Sequence, residues 1–259
     1  DPTIVRSLRN GGAQWFSFLS STNSAEIRTW GNTALDTFMD ADFDGDRLSD
    51  EAAVRSKLQS IVGFYGVLSN TNSATVTNWG VLSDVPSLPD LDGDSKSDPT
   101  VWRPGDGSWW SIRSSLGALS TQWGLPGDIP AAADYDGDGW DDLAIWRPSL
   151  GFWAVLQSTR GAQRDLDNII WKQWGLGVFG DHPLPGDYTG DGKADLMVWR
   201  PTDAAWYLCS SADGFSCSSP ARLQFGLPGD YPIQADFDGD GIRDYAVWRP
   251  TDGTWYYKR

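Results

Sequence analysis

An acidic nonapeptide of the form D-x-D-G-D-x-x-x-D recurs along the chain and constrains its fold more than any other feature. It stands at Asp42–Asp50, Asp90–Asp98, Asp134–Asp142, Asp187–Asp195 (with Thr189 at the third position) and Asp236–Asp244. The first aspartates are 48, 44, 53 and 49 residues apart. Behind each loop runs a short β-rich segment: VWRP at 101–104, 198–201 and 247–250, IWRP at 145–148, and a degenerate AVRS at 53–56. An aromatic strand follows a turn, and a further strand ends in WG or FG at Trp30, Trp79, Trp123, Trp174 and Phe225. Each unit of 44–53 residues thus holds four short strands and no helical periodicity. That is the length and content of a β-propeller blade.

The fold class expected is therefore all-β, a single propeller domain over residues 1–259 built from four-stranded blades. Complete repeats span approximately 32–80, 81–124, 125–175 and 176–226, with partial blades at 1–31 and 232–259. Six copies of the second strand predict six blades; five with shared end strands, or seven, are the alternatives. A closing blade that borrows a strand from the other end of the chain would remove exposed sheet edges.

The D-x-D-G-D-x-x-x-D loop followed by VWRP, G-x-W and QWG-x-PGD resembles the FG-GAP/VCBS-type repeats of secreted bacterial proteins. These are relatives of the calcium-binding blades in integrin α-subunit propellers. The resemblance covers nearly the whole chain. It departs in the first unit, which has no acidic loop, and in the second, which lacks the Trp and Pro of VWRP. It implies a secreted or cell-surface propeller.

Hard cations such as calcium take about six to eight oxygens from a flexible loop. Positions 1, 3, 5 and 9 of each repeat supply side-chain oxygens and position 7 a backbone carbonyl. The candidate ligands are Asp42, Asp44, Asp46, Leu48 and Asp50; Asp90, Asp92, Asp94, Lys96 and Asp98; Asp134, Asp136, Asp138, Trp140 and Asp142; Asp187, Thr189, Asp191, Lys193 and Asp195; and Asp236, Asp238, Asp240, Ile242 and Asp244. Up to five calcium ions are expected. An EF-hand would need Glu at position 12 and flanking helices, whereas position 12 here already lies in a strand. An Asp-rich surface turn is the other reading of one such loop; five copies at blade spacing favour the metal. Loop four is the weakest, since Thr189 replaces a carboxylate.

The formal charge of −15 excludes nucleic acid as a partner, because that affinity comes from Lys and Arg on phosphates. No apolar run approaches the ~20 residues of a membrane span. The loops hold 19 of the 35 acidic residues at ligand positions, so the rest of the chain carries a small positive excess. Cys209 and Cys217 flank a Ser/Gly stretch and are expected to form one local disulfide. His182 is the only histidine and Glu26 and Glu51 the only glutamates, which leaves little material for triads or Glu acid/base pairs. A binding protein rather than an enzyme is expected.

Thirteen of the 16 tryptophans sit at repeat positions, where blade packing accounts for them. Trp110, Trp140 and Trp171 fall outside the pattern and are the candidate ligand-binding residues, with Trp140 expected to be exposed. Arg103, Arg147, Arg200 and Arg249 are expected to pair with acids such as Asp128, Asp181 and Asp230. The long connections Gln157–Ile169 and Ser210–Ala221 leave the same ends of their units as the acidic loops. The ligand expected is a glycan or a protein; a purely structural module and, less well supported, a polysaccharide-acting enzyme are the other readings.

Overall fold

The computed structural model describes residues 3–19, 24–55, 61–158, 168–218 and 221–258. They form six antiparallel sheets in sequence order, the blade organisation of a β-propeller. The first sheet is β1 (Thr3–Ser7), β2 (Gly12–Leu19) and β3 (Ser24–Asn32). The second is β4 (Asp36–Ala41), β5 (Asp50–Arg55), β6 (Ile61–Val67) and β7 (Ala74–Val81). The third is β8 (Val85–Ser87), β9 (Thr100–Arg103), β10 (Ser108–Arg113) and β11 (Gly117–Gln122). The fourth is β12 (Ile129–Pro130), β13 (Leu143–Arg147), β14 (Phe152–Leu156) and β15 (Ile169–Gln173). The fifth is β16 (His182–Pro183), β17 (Leu196–Arg200), β18 (Ala205–Cys209) and β19 (Ala221–Gln224). The sixth is β20 (Tyr231–Ala235), β21 (Asp244–Arg249) and β22 (Thr254–Lys258).

Both end sheets have three strands, each drawn from neighbouring stretches of sequence. The pairing described in these two sheets is local, β1 with β2, β2 with β3, β20 with β21 and β21 with β22.

By internal contacts the chain forms two compact units. The first holds residues 1–90, 94–103 and 109–121, and the second 91–93, 104–108 and 122–259. In the central sheets the second strand is buried on both faces, as in β9, β13 and β17, which explains why these segments read as unbroken apolar runs. The outer strands β7 and β11 instead alternate exposed and half-buried residues, the mark of one wet face.

Two repeated devices join sheets within a unit. The indole N–H of the strand-four tryptophan donates to a strand-three carbonyl of the following sheet: Trp79 to Trp110 (2.9 Å), Trp123 to Ala154 (3.1 Å) and Trp174 to Tyr207 (3.1 Å). Each arginine that ends the second strand forms a two-pronged ion pair with an aspartate at, or just ahead of, the start of the first strand. The pairs are Arg55–Asp36, Arg103–Asp84, Arg147–Asp128, Arg200–Asp181 and Arg249–Asp230, always 19 residues apart. The aspartate side chains are 0–2 % exposed. Their second oxygens also accept the N–H of the residue behind the WG or FG turn, as Leu125 donates to Asp128 at 2.8 Å. The repeat tryptophans and arginines are therefore architecture. Arg249 holds the carboxyl of Asp230 below its ordinary value.

Candidate functional site

The acidic nonapeptides lie between the first and second strands of the second to sixth sheets. Their local fold follows from aspartate's tendency to accept hydrogen bonds from backbone just ahead of it. In the first loop Asp42 accepts from Gly45 (2.7 Å) and Arg47 (2.8 Å). Asp134, Asp187 and Asp236 do the same with the N–H groups at their own positions 4 and 6. The glycine at position 4 has φ between 72° and 82° in all five loops, a left-handed turn that penalises any Cβ. The position-9 aspartate turns one oxygen back to the N–H of position 2, as Tyr135 donates to Asp142 (3.0 Å) and Tyr188 to Asp195 (2.8 Å).

The carboxylates converge in four of the five loops. One oxygen each of Asp42, Asp44 and Asp50 lie within 4.8 Å of one another, as do those of Asp90, Asp92 and Asp94, of Asp134, Asp136 and Asp142, and of Asp236, Asp238 and Asp244. Asp46, Asp98, Asp138 and Asp240 stand in the same loops but outside these triads. Among the described residues loop four forms no such triad; Thr189 stands there where the others have a carboxylate.

The donors are hard oxygens, the set that suits calcium. Asp44 Oδ2 is buried with no hydrogen-bond partner, as an oxygen reserved for a cation would be. Burial pushes Asp142 up to about 7, only partly offset by the N–H groups of Ser158 and Tyr135, and neighbouring Asp136 adds repulsion. Burial also raises Asp134, Asp136, Asp195 and Asp244 above the ordinary carboxylate range. A positive ion would relieve both penalties.

A serine just past the third strand belongs to each of the first four loops, although the nonapeptide spacing does not point to it. Ser69, Ser114 and Ser211 donate their backbone N–H to the position-9 aspartates Asp50, Asp98 and Asp195, each at 2.7 Å. Ser158 makes the same bond to Asp142. The hydroxyls of Ser69, Ser114 and Ser211 also donate to the position-5 aspartates Asp46, Asp94 and Asp191. A signal existed: Ser114, Ser158 and Ser211 each follow their last loop aspartate by 16 residues. In loop four Ser211 lies inside the link closed by the Cys209–Cys217 disulfide, whose Cα atoms are 4.8 Å apart.

Successive loops also touch. The position-8 N–H donates to the position-1 carbonyl of the preceding loop, from Ser97 to Asp42 (2.5 Å), Ala194 to Asp134 (2.6 Å) and Arg243 to Asp187 (2.6 Å). The position-7 side chain lies over the preceding position-4 glycine: Lys96 on Gly45, Trp140 on Gly93, Lys193 on Gly137 and Ile242 on Gly190. Trp140 is therefore half-buried rather than exposed, and its place is a repeat place. A Cβ on Gly93 would meet the Trp140 indole at 1.9 Å. Gly93→Ala should cost about 1–3 kcal/mol from overpacking and the left-handed backbone. Trp140→Ala in the same chain should recover part of that loss in a chemical denaturation cycle.

Trp110 also proves to be a repeat residue. Arg103 lies 5.1 Å above its ring, as Arg55 lies over Tyr65, Arg200 over Tyr207 and Arg249 over Tyr256. Each ring covers the arginine of an ion pair. In the fourth sheet this position is Ala154, and opposite it on β15 stands Trp171. Trp171 is 52 % exposed, stacks on Phe152 with centroids 5.3 Å apart, and lies 5.6 Å from Trp123. Of the three tryptophans singled out, Trp171 alone presents a broad ring to solvent. Most of the long connection 157–169 lies outside the described residues.

No helix among the described residues is long and apolar enough to cross a membrane. No protein-family model matches the chain, and no curated protein does. Among solved structures, the chain is similar to a lectin of Agrocybe aegerita, described for specific recognition of non-reducing terminal N-acetylglucosamine. The identity is 14 %, the TM-score 0.58, and the match covers 99 % of this chain and 75 % of that one. At this identity the likeness is one of fold, and the fold it supports is the propeller.

Proposed function

We propose that this protein is a calcium-braced β-propeller that binds glycans and performs no catalysis of its own. The observation that carries the glycan reading is the open aromatic surface of Trp171, Phe152 and Trp123. Exposed aromatic area of this kind marks an interaction site, and a flat indole suits the apolar face of a sugar ring. The lectin activity of a propeller neighbour supports the reading. The calcium reading rests on four converged carboxylate triads and the unpartnered oxygen of Asp44. The ions would brace the links between first and second strands and would contribute folding free energy. The repeat pattern resembles that of FG-GAP/VCBS-type blades, and the disulfide fits an oxidising, extracellular setting.

A glycan array probed in calcium tests the binding claim. The wild type should bind a defined set of glycans, and Trp171→Ala should weaken that binding about tenfold or more, equivalent to about 1.4 kcal/mol. Retained affinity in the variant would move the site elsewhere. Absence of binding to any glycan would favour a protein-binding or structural module.

A further inference from the structure

A cavity of about 300 Å³ opens beside β19, β21 and β22 in the second unit. Its floor is Met197, Trp206, Leu208 and Leu223, its wall is Tyr245, and its rim carries Arg222 and Lys258. The volume is at the lower end of small-molecule sites, which run to about 300–1,000 Å³ and pair an apolar lining with a few polar groups.

The cavity exists because two repeat positions changed. Between the fourth and fifth sheets the equivalent space is filled. Ile170, opposite Val155, packs there with Cys209, Phe215 and Cys217. In the next gap the residue matching Ile170 is Ala221, opposite Leu208, and the residue matching Cys209 is Lys258, opposite Tyr245. An isoleucine has become an alanine, and a buried cysteine an exposed lysine.

Among the described residues no acidic side chain lines the cavity, in a chain with 35 acidic residues. Arg222 is partly engaged: it donates to Tyr207 Oη (3.1 Å) and Gln224 Oε1 (2.7 Å) and lies 3.4 Å from Asp203. Lys258 has no ion-pair partner among the described residues and leaves one positive charge at the mouth of an apolar floor. A sugar would find few hydroxyl partners on that floor, so the site differs in chemistry from the Trp171 surface. We infer that it takes a small carboxylate with an apolar body, the carboxylate at Lys258 and Arg222 and the body against Leu208, Leu223 and Tyr245.

Titration calorimetry of the calcium-loaded protein with octanoate, octanol and octylammonium tests this. Octanoate should bind, with octanol and octylammonium at least about tenfold weaker, since only the anion meets the rim charge. Ala221→Ile, which restores the residue of the fourth sheet, should abolish octanoate binding. Lys258→Gln, a surface change, should weaken it about tenfold and leave the melting temperature unchanged. No octanoate binding, equal binding of the three probes, or full affinity in either variant would overturn the assignment.

Discussion

Excess EDTA should lower the melting temperature of this protein by more than about ten degrees, and added calcium should restore it. Each ion present at a hundredfold over its Kd contributes about 2.7 kcal/mol. A protein of this size loses roughly 2–4 °C per kcal/mol, so four sites exceed ten degrees comfortably. The pH dependence should reverse with the metal. In the stripped protein Asp142 titrates near 7 when folded, against an ordinary value of 3.8. A carboxyl raised in this way favours the folded state when protonated. Stability of the stripped protein should therefore be greatest at low pH and fall as pH rises from about 4 to about 7. With calcium bound the carboxylates are held ionised, so stability should instead fall as pH drops. Thermal melts at pH 5 and pH 8, with and without calcium, read both signs. Melts unchanged by EDTA would remove the bracing role.

The second large effect is expected at the arginine–aspartate pairs. Arg147→Ala would leave Asp128, 1 % exposed, charged and without its two-pronged partner at 2.7 and 2.8 Å. Removing one partner of a buried pair costs about 3–5 kcal/mol, which corresponds to a melting shift of about ten degrees. Arg147→Lys should recover only part of this, because a single ammonium cannot match both oxygens. Asp128→Ala with Arg147→Ala should cost less than the two single changes added together, since neither charge is then stranded. Denaturation midpoints of the four proteins measure this. A single variant within about 0.5 kcal/mol of wild type, the usual range for a surface change, would mean the pairs carry little.

The blade repeat was legible because its parts are local. A nonapeptide, a β-rich strand and a Gly turn each depend on neighbours in sequence, and their spacing places the acidic loops between first and second strands. The arginine–aspartate pairing was legible for Asp128, Asp181 and Asp230, yet Asp36 and Asp84 lack the Gly that precedes those aspartates, and Arg55 lacks the Trp and Pro that flank the other arginines. The constant separation of 19 residues would have found them.

What the spacing could not show depends on the neighbouring sheet. Trp140 sits at a loop position occupied elsewhere by Leu, Lys or Ile, so its residue type hid a shared place above the preceding loop's glycine. Trp110 looked like an extra tryptophan beside Trp109, although it does the work of Tyr207 and Tyr256. Trp171 stands outside the repeat pattern already in the sequence, but only the structure shows that it faces Ala154 across the sheet and leaves its ring exposed. The loop serines were missed for a different reason. Serine is common in turns, and only the hydrogen bonds to Asp50, Asp98, Asp142 and Asp195 distinguish these four.

Calorimetric titration of calcium into metal-stripped protein tests the central claim most directly, because it counts ions without reference to stability. Four ions per chain are predicted at the loops that gather a triad, with loop four, centred on Asp187 and Thr189, binding more weakly. Asp44→Asn together with Asp50→Asn should remove one ion. A titration without heat, or fewer than one ion bound per chain, would contradict the account.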